Sequence, residues 1–284
     1  MAIFSNQATL TYNGTSTNSN IAYGEILDVL TVTKTAIEGS YTIGSTVTYA
    51  LTLRNTGTTA LTGLTLTDDL GAYTVGTTTV YPLSYVDGSV ALFVNGAPQA
   101  APAAVAGPPL VISGVTVPAG GDAVVIYQTL VTSYADPNAE GTVVNTVTAT
   151  GAGLSAPVTA TETVVAQTGP NLAITKSICP AQVVDNDRVT YTFVITNTGN
   201  VAVEATDNAS ITDTFDPILT DLTVTFNGTT WTQGTQYNYN EATGLFTTVP
   251  GNITVPAATY TQDPVTGEYT VTPGTATLVV TGTI

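Results

Sequence analysis

"STVTYALTLRNTG" at residues 45–57 and "DRVTYTFVITNTG" at residues 187–199 are two copies of one pattern. In each, apolar and polar side chains alternate until Asn-Thr-Gly ends the run, as in a half-buried β-strand that enters a turn. Tyr49 matches Tyr191, Asn55 matches Asn197 and Gly57 matches Gly199, each 142 residues apart. The same offset joins Lys34 in "LTVTKTA" to Lys176 in "LAITKSI". One strand later the offset is 145, where Asp68 in "LTLTDDL" meets Asp213 in "ASITDTF", so a short insertion is expected around Glu204 to Asn208. These aligned strand motifs make an internal duplication.

Period-two alternation also runs through "TGLTLTDDL", "AVVIYQTLV" and "VVNTVTAT", each bounded by Gly, Pro, Asn or Asp, and no stretch keeps a helical period for more than a turn or two. The expected fold class is all-β, two sandwiches in tandem. "AQTGPN" at 166–171 reads as the joint between them, because Gly-Pro ends one strand system just before the next begins. The expected organisation is an N-terminal arm over 1–27, a first domain over 28–167, a linker at 168–170 and a second domain over 171–284.

Composition narrows the function. Lys and Arg number 4 against 20 acidic residues, a formal net charge of −16, which argues against nucleic acid or an anionic membrane as partner. Histidine is absent and Cys179 is the one cysteine, so neither a His-based triad nor an intrachain disulfide can be built. An enzyme is not expected, beyond chemistry the chain performs on itself. No apolar run is long enough to span a bilayer, and the N-terminus lacks the basic and apolar regions of a secretion signal.

The strand motifs resemble the domain-of-unknown-function-eleven family, the conserved repeats of bacterial surface proteins. Its pattern is a first-strand Lys, a "VTYTITVTNTG"-like strand and turn, a "VTVTDTLP"-like strand and a closing "VTNTATVTG"-like strand. Two copies cover nearly the whole chain, although "LTDDLGAY" lacks the usual Pro. The chain is also similar to the clostridial spore-appendage subunits of this family. The resemblance implies immunoglobulin-like sandwiches and a structural role at a bacterial cell or spore surface.

The two copies end differently. The first closes with "AVVIYQTLV" and then "VVNTVTAT", whereas the second stops at "TATLVVTGTI", the match of "AVVIYQTLV". A sandwich short of its closing strand leaves an apolar groove and unpaired edge groups. The missing strand stands at the other end of the chain: "IFSNQATLTYNG" from residue 3 aligns with "TVVNTVTATGAG" from residue 142, pairing Asn6 with Asn145 and Thr9 with Thr148 at an offset of 139. In an immunoglobulin-like sandwich the chain enters at one pole and leaves at the other. The expectation is therefore exchange between molecules, the N-terminal strand presenting Phe4, Asn6, Ala8 and Leu10 to the groove of a neighbour by strand addition. Such a contact is head-to-tail and propagates into a homopolymer. The alternatives are a leading arm with no acceptor, or a piece of a longer array that continues past Ile284.

Strand parity turns Lys34, Asp68 and Asn145 toward the core side, with Lys176, Asp213 and the donor's Asn6 as their counterparts. An inward amine, acid and carboxamide are the components of a self-formed isopeptide bond. Burial frees the amine, and Asp68 or Asp213 serves as the promoting acid. The expected cross-links are Lys34 to Asn145 within a chain and Lys176 to Asn6 between chains; the alternative is a buried polar network without a bond.

No cofactor is expected. "VVDNDRV" at 183–189 and "YADPNAEG" at 134–141 gather oxygen ligands that suit Ca²⁺, but without the spacing of a calcium loop. Trp231, Tyr237 and Tyr239 suggest either a carbohydrate-binding face or a solvent-lapped strand pair, and Cys179 reads as a buried or half-buried thiol. The reading is a self-associating filament subunit outside the cell, with no membrane span and no identified anchor. The alternative is an adhesin-type stalk that binds carbohydrate or protein through its loops.

Overall fold

The computed structural model describes residues 2–26 and 28–284. Among them, regular structure is β-strand except for one 3-10 turn, Ala205–Asp207, and no helix is long and apolar enough to cross a membrane. That turn lies where the second repeat runs longer than the first. The Asp207 carboxylate accepts the Glu204 N–H at 2.8 Å, so the extra residues coil on themselves rather than displace a strand.

The N-terminal segment is a hairpin. Strand β1 (Ala2–Asn6) pairs with β4 (Ala22–Ile26), and β2 (Thr9–Tyr12) with β3 (Thr15–Asn18). Asn13 and Gly14, with φ of 49° and 80°, form the two-residue turn at its tip, a conformation that favours Asn-Gly. Among the described residues these four strands pair only with one another.

The chain divides into two compact units. The first takes in the residues up to Asp136, with Gly141–Ala166 and Pro264–Gly267; the second comprises Pro137–Glu140, Gln167–Asp263 and Glu268–Ile284. The main strands of the first are β5 (Leu30–Ala36), β6 (Thr46–Asn55), β7 (Leu61–Asp68), β8 (Leu110–Val117), β9 (Asp122–Val131), β10 (Thr142–Thr150) and β11 (Val158–Ala166). They build the two faces of an immunoglobulin-like sandwich. One sheet carries the order β9-β6-β5, extended beyond β9 by Ala91–Val94 and Ala97–Gln99. The other runs β8-β7-β10-β11, flanked by Ala103–Ala106 and Ser40–Tyr41. Alternate residues of each strand enter one core: Val47, Tyr49, Leu51 and Leu53 from β6, Leu64 and Leu66 from β7, Val125 and Tyr127 from β9, Val147 and Ala149 from β10.

Asn55 ends β6 as a clamp. Its Nδ2 donates to the carbonyls of Thr59, Val117 and Pro118 at 2.9, 3.3 and 3.1 Å, and its Oδ1 accepts the Gly57 N–H at 2.9 Å. Asn197 repeats the bond to Gly199 at 2.9 Å and adds carbonyls of Val201 and Pro256. This is the physical content of the duplicated Asn-Thr-Gly: a buried amide that satisfies the groups of a turn.

In the second unit β12 (Leu172–Cys179), β13 (Arg188–Asn197), β14 (Thr212–Thr214), β15 (Thr220–Phe226), β16 (Tyr237–Asn240), β17 (Leu245–Thr248) and β18 (Gly274–Thr283) are the main strands. A five-stranded sheet has the order β12-β13-β18-β15, continued by Thr229–Trp231, and a three-stranded sheet the order β14-β17-β16. Strands β12, β13, β14 and β18 are the counterparts of β5, β6, β7 and β9. Nothing among the described residues stands where β10 and β11 stand in the first unit. Strand β14 pairs with β17 along one edge only, whereas β7 is paired on both sides, with β8 and with β10.

Candidate functional site

In the first unit the residues singled out from parity converge in the core. Lys34 on β5 and Asp68 at the end of β7 are 4% and 1% exposed, and Asn145 on β10 is fully buried. Lys34 Nζ donates to Asp68 Oδ2 at 2.5 Å. The Lys34 ammonium also lies 4.7 Å from the centroid of the Tyr49 ring, and Tyr49 sits opposite Tyr127 in the β6–β9 ladder with its ring stacked at 5.7 Å.

Tyr127 is a member that sequence reasoning missed. Its hydroxyl donates to the same Asp68 oxygen that receives Lys34. The signal was present in "AVVIYQTLV", where alternation places Tyr127 on the face of Val125 and Ala123. The other Asp68 oxygen accepts the Leu70 N–H at 3.0 Å. Leu70 reaches this position by adopting the left-handed region, with φ of 56°, which costs a leucine on the order of 1 kcal/mol. The neighbouring carboxylate, Asp69, binds the Gly71 and Thr146 N–H groups at 2.9 Å each and so ties β7 to β10 outside the core.

Burial pushes the Lys34 amine below its ordinary range, with Asp68 opposing that shift. Burial also raises the phenols of Tyr49 and Tyr127, and the nearby Asp68 charge adds to the rise of both. Beside the two phenols lies Asn145, which opposes the rise of both, although neither its amide nitrogen nor its oxygen makes a hydrogen bond of ordinary geometry. A buried carboxamide with neither end satisfied costs about 1–3 kcal/mol per group, and such a feature demands a physical reason.

The second unit carries the same pair in the open. Lys176 Nζ donates to Asp213 Oδ2, with side chains 39% and 19% exposed against 0% and 2% for Lys34 and Asp68. Tyr191 at 4.6 Å, and Phe193 and Phe215 each at 5.4 Å, hold the ammonium from beneath. Every residue of β12 is exposed, Leu172 at 46% and Ile174 at 53%, where their counterparts Leu30 and Val32 are buried. The parity that buries β5 is thus present in β12 without a cover. Cys179 is exposed for the same reason, contrary to the sequence expectation of a buried or half-buried thiol.

The donor residues are also in solvent. Phe4 and Leu10 are 57% and 67% exposed, and Asn6 and Ala8 are exposed between them. Phe4 lies opposite Gly24, and its ring fills the space where a Cβ on residue 24 would stand.

The aromatic group Trp231, Tyr237 and Tyr239 is core, not surface. All three are below 10% exposed; Trp231 stacks on Phe226 at 4.9 Å, Tyr237 on Phe246 at 5.5 Å, and the Tyr239 hydroxyl donates to the Leu219 carbonyl at 3.0 Å. Both the carbohydrate-binding face and the solvent-lapped pair are corrected by this burial. In "VVDNDRV" the Asp187 carboxylate accepts the Val184 N–H at 3.0 Å and serves the turn.

No family model matches the chain, and no characterised protein matches it in sequence. Among solved structures it is similar to the pilus backbone of Streptococcus pneumoniae, at 13% identity and a TM-score of 0.34, over 86% of this chain and 55% of that one. A C-terminal fragment of the major pilin of Streptococcus agalactiae matches at 12% identity and 0.36, over 57% and 63%. The collagen-binding domain of a Staphylococcus aureus adhesin matches at 13% identity and 0.31, over 50% of this chain and all of that one.

Proposed function

We propose that the chain is the structural subunit of a surface filament, built head-to-tail by inserting its N-terminal segment into the second unit of the next molecule and locked by Lys–Asn amide bonds. One observation carries this reading. The same Lys–Asp pair is sealed in the first unit beneath β10 and β11, and uncovered in the second, while a segment aligned with β10 stands unused at the N-terminus.

The chemistry follows from the buried cluster. Two opposite charges in a dry site are stable only if the pair is well solvated by neighbours, and passing one proton from Lys34 to Asp68 removes both charges. The Lys34 lone pair then attacks the Asn145 carbonyl carbon while protonated Asp68 donates a hydrogen bond to its oxygen. Collapse of the tetrahedral adduct breaks the bond from Cγ to Nδ2. Asp68 relays a proton from Nζ to that nitrogen, which leaves as ammonia, so one amide replaces another with no redox change. Fixed strands supply the effective concentration. The product removes the unpartnered carboxamide NH₂ and the buried ammonium together. In the second unit Lys176 and Asp213 would perform this step on Asn6 only after insertion, because exposure keeps Lys176 hydrated until a cover arrives.

Electron microscopy of the purified chain tests the assembly: filaments that disappear on deletion of residues 1–27 support it, and persistence of filaments refutes it. Intact-mass measurement tests the bond in the monomer through the loss of one ammonia.

A further inference from the structure

Resting on the filament reading, we propose that the acceptor takes the whole N-terminal hairpin of another copy, residues 2–26, seated with Ala8 opposite Asp213 and its second arm laid over Leu172 and Ile174. The first unit shows what a filled site contains. There β10 joins the edge of β7 in the register Val147–Asp68, Thr148–Thr67 and Ala149–Leu66. Transferred through the offsets of 139 and 145, this becomes Ala8–Asp213, Thr9–Thr212 and Leu10–Ile211 along the open edge of β14.

The cover over β5 is a different strand. Strand β11 pairs with β10 and packs across the sandwich on β5, with Val164 and Ala166 only 2% and 3% exposed. A single donor strand would complete the β14 edge and leave the apolar strip of β12 in water. The hairpin has the second arm ready. Val143 faces Val164 and Asn145 faces Glu162 in the first unit; Phe4 faces Gly24 and Asn6 faces Ala22 in the hairpin. Residues 22 and 24 are small, so the Phe4 ring spreads over the arm and presents the bulk that valines provide in the first unit. Ala22 at the place of Glu162 leaves Asp213 as the one carboxylate counterpart beside Lys176.

The test uses the full chain carrying Cys179→Ser, to remove the native thiol, and Asn6→Ala, to prevent an amide link from mimicking the result. Thr9→Cys and Thr212→Cys are added in one version and Thr9→Cys and Thr214→Cys in another. All four cysteine-engineering positions are exposed. A third version carries Ile174→Cys alone for maleimide labelling. Filaments whose Thr9–Thr212 version oxidises to a ladder, with the Thr214 version unlinked and Ile174→Cys labelled an order of magnitude more slowly than in monomer, are expected. Filaments in which the shifted pair links, or in which Ile174→Cys stays as reactive as in monomer, overturn the register or the second arm while leaving assembly standing. Monomers in every version overturn assembly itself.

Discussion

Replacing Asn145 by alanine separates a cross-linked core from a merely packed one. With no bond, the substitution removes a carboxamide that makes no hydrogen bond of ordinary geometry and only weak contacts to the Tyr49 and Tyr127 phenols. The relief of about 1–3 kcal/mol offsets a cavity cost of similar size, for a net change near zero. With a Lys34–Asn145 bond, the loop closed spans 145 − 34 = 111 residues, and losing it frees unfolded-chain entropy worth about 5 kcal/mol. At roughly 2–4 °C per kcal/mol for a unit of this size, the first unit should then melt about 10–20 °C lower. Calorimetry reads the shift. The chain's one tryptophan, Trp231, lies in the second unit, so the transition seen by its fluorescence should stay in place. Wild-type protein at its unmodified mass, or a first-unit transition that moves by less than a few degrees, would refute the covalent reading.

Four further outcomes are expected. Lys176→Ala should leave filaments that boil apart to monomers in detergent, with the monomer still short of one ammonia; a surviving ladder would contradict the assignment. Because burial holds the Tyr49 and Tyr127 phenols above their ordinary 10.0, the folded first unit keeps protons that the unfolded chain has released, so stability should fall as pH rises past 10.0. In unlinked Asn145→Ala the lowered Lys34 makes the unfolded chain the better proton binder below 10.5, so that variant should gain stability relative to wild type as pH climbs toward 10.5; denaturant midpoints across that range check both signs. Asn55→Ala should cost the first unit about 3 kcal/mol by calorimetry, since the one amide serves three carbonyls and the Gly57 N–H.

Period-two alternation and the duplicated Asn-Thr-Gly were enough to read the all-β class, because both are local. The same parity placed Lys34, Asp68 and Asn145 on core-facing positions. It also marks Tyr127, whose bond to Asp68 crosses between sheets and has no signature in a single strand. Unit two was harder for a related reason. "YNYN" buries its tyrosines by strict alternation, yet its polar neighbours gave the segment the look of a surface. The exposure of Cys179 and of all of β12 goes with the lack, among the described residues, of second-unit counterparts to β10 and β11, which no local pattern reports.

Lys34 and Lys176 are the only two lysines, and Arg54 and Arg188 the only other basic side chains. In the proposed cross-linked filament both amines are spent in amide bonds, and the subunit would offer no lysine to amine-directed labels and no lysyl bond to a trypsin-like protease. The two arginyl positions are poor substitutes, since Arg54 is held between Thr31 and Asp122 in its sheet and Arg188 is laddered to Thr283. In that proposed filament, a scarcity of cations that first reads as a matter of charge would act as resistance to digestion.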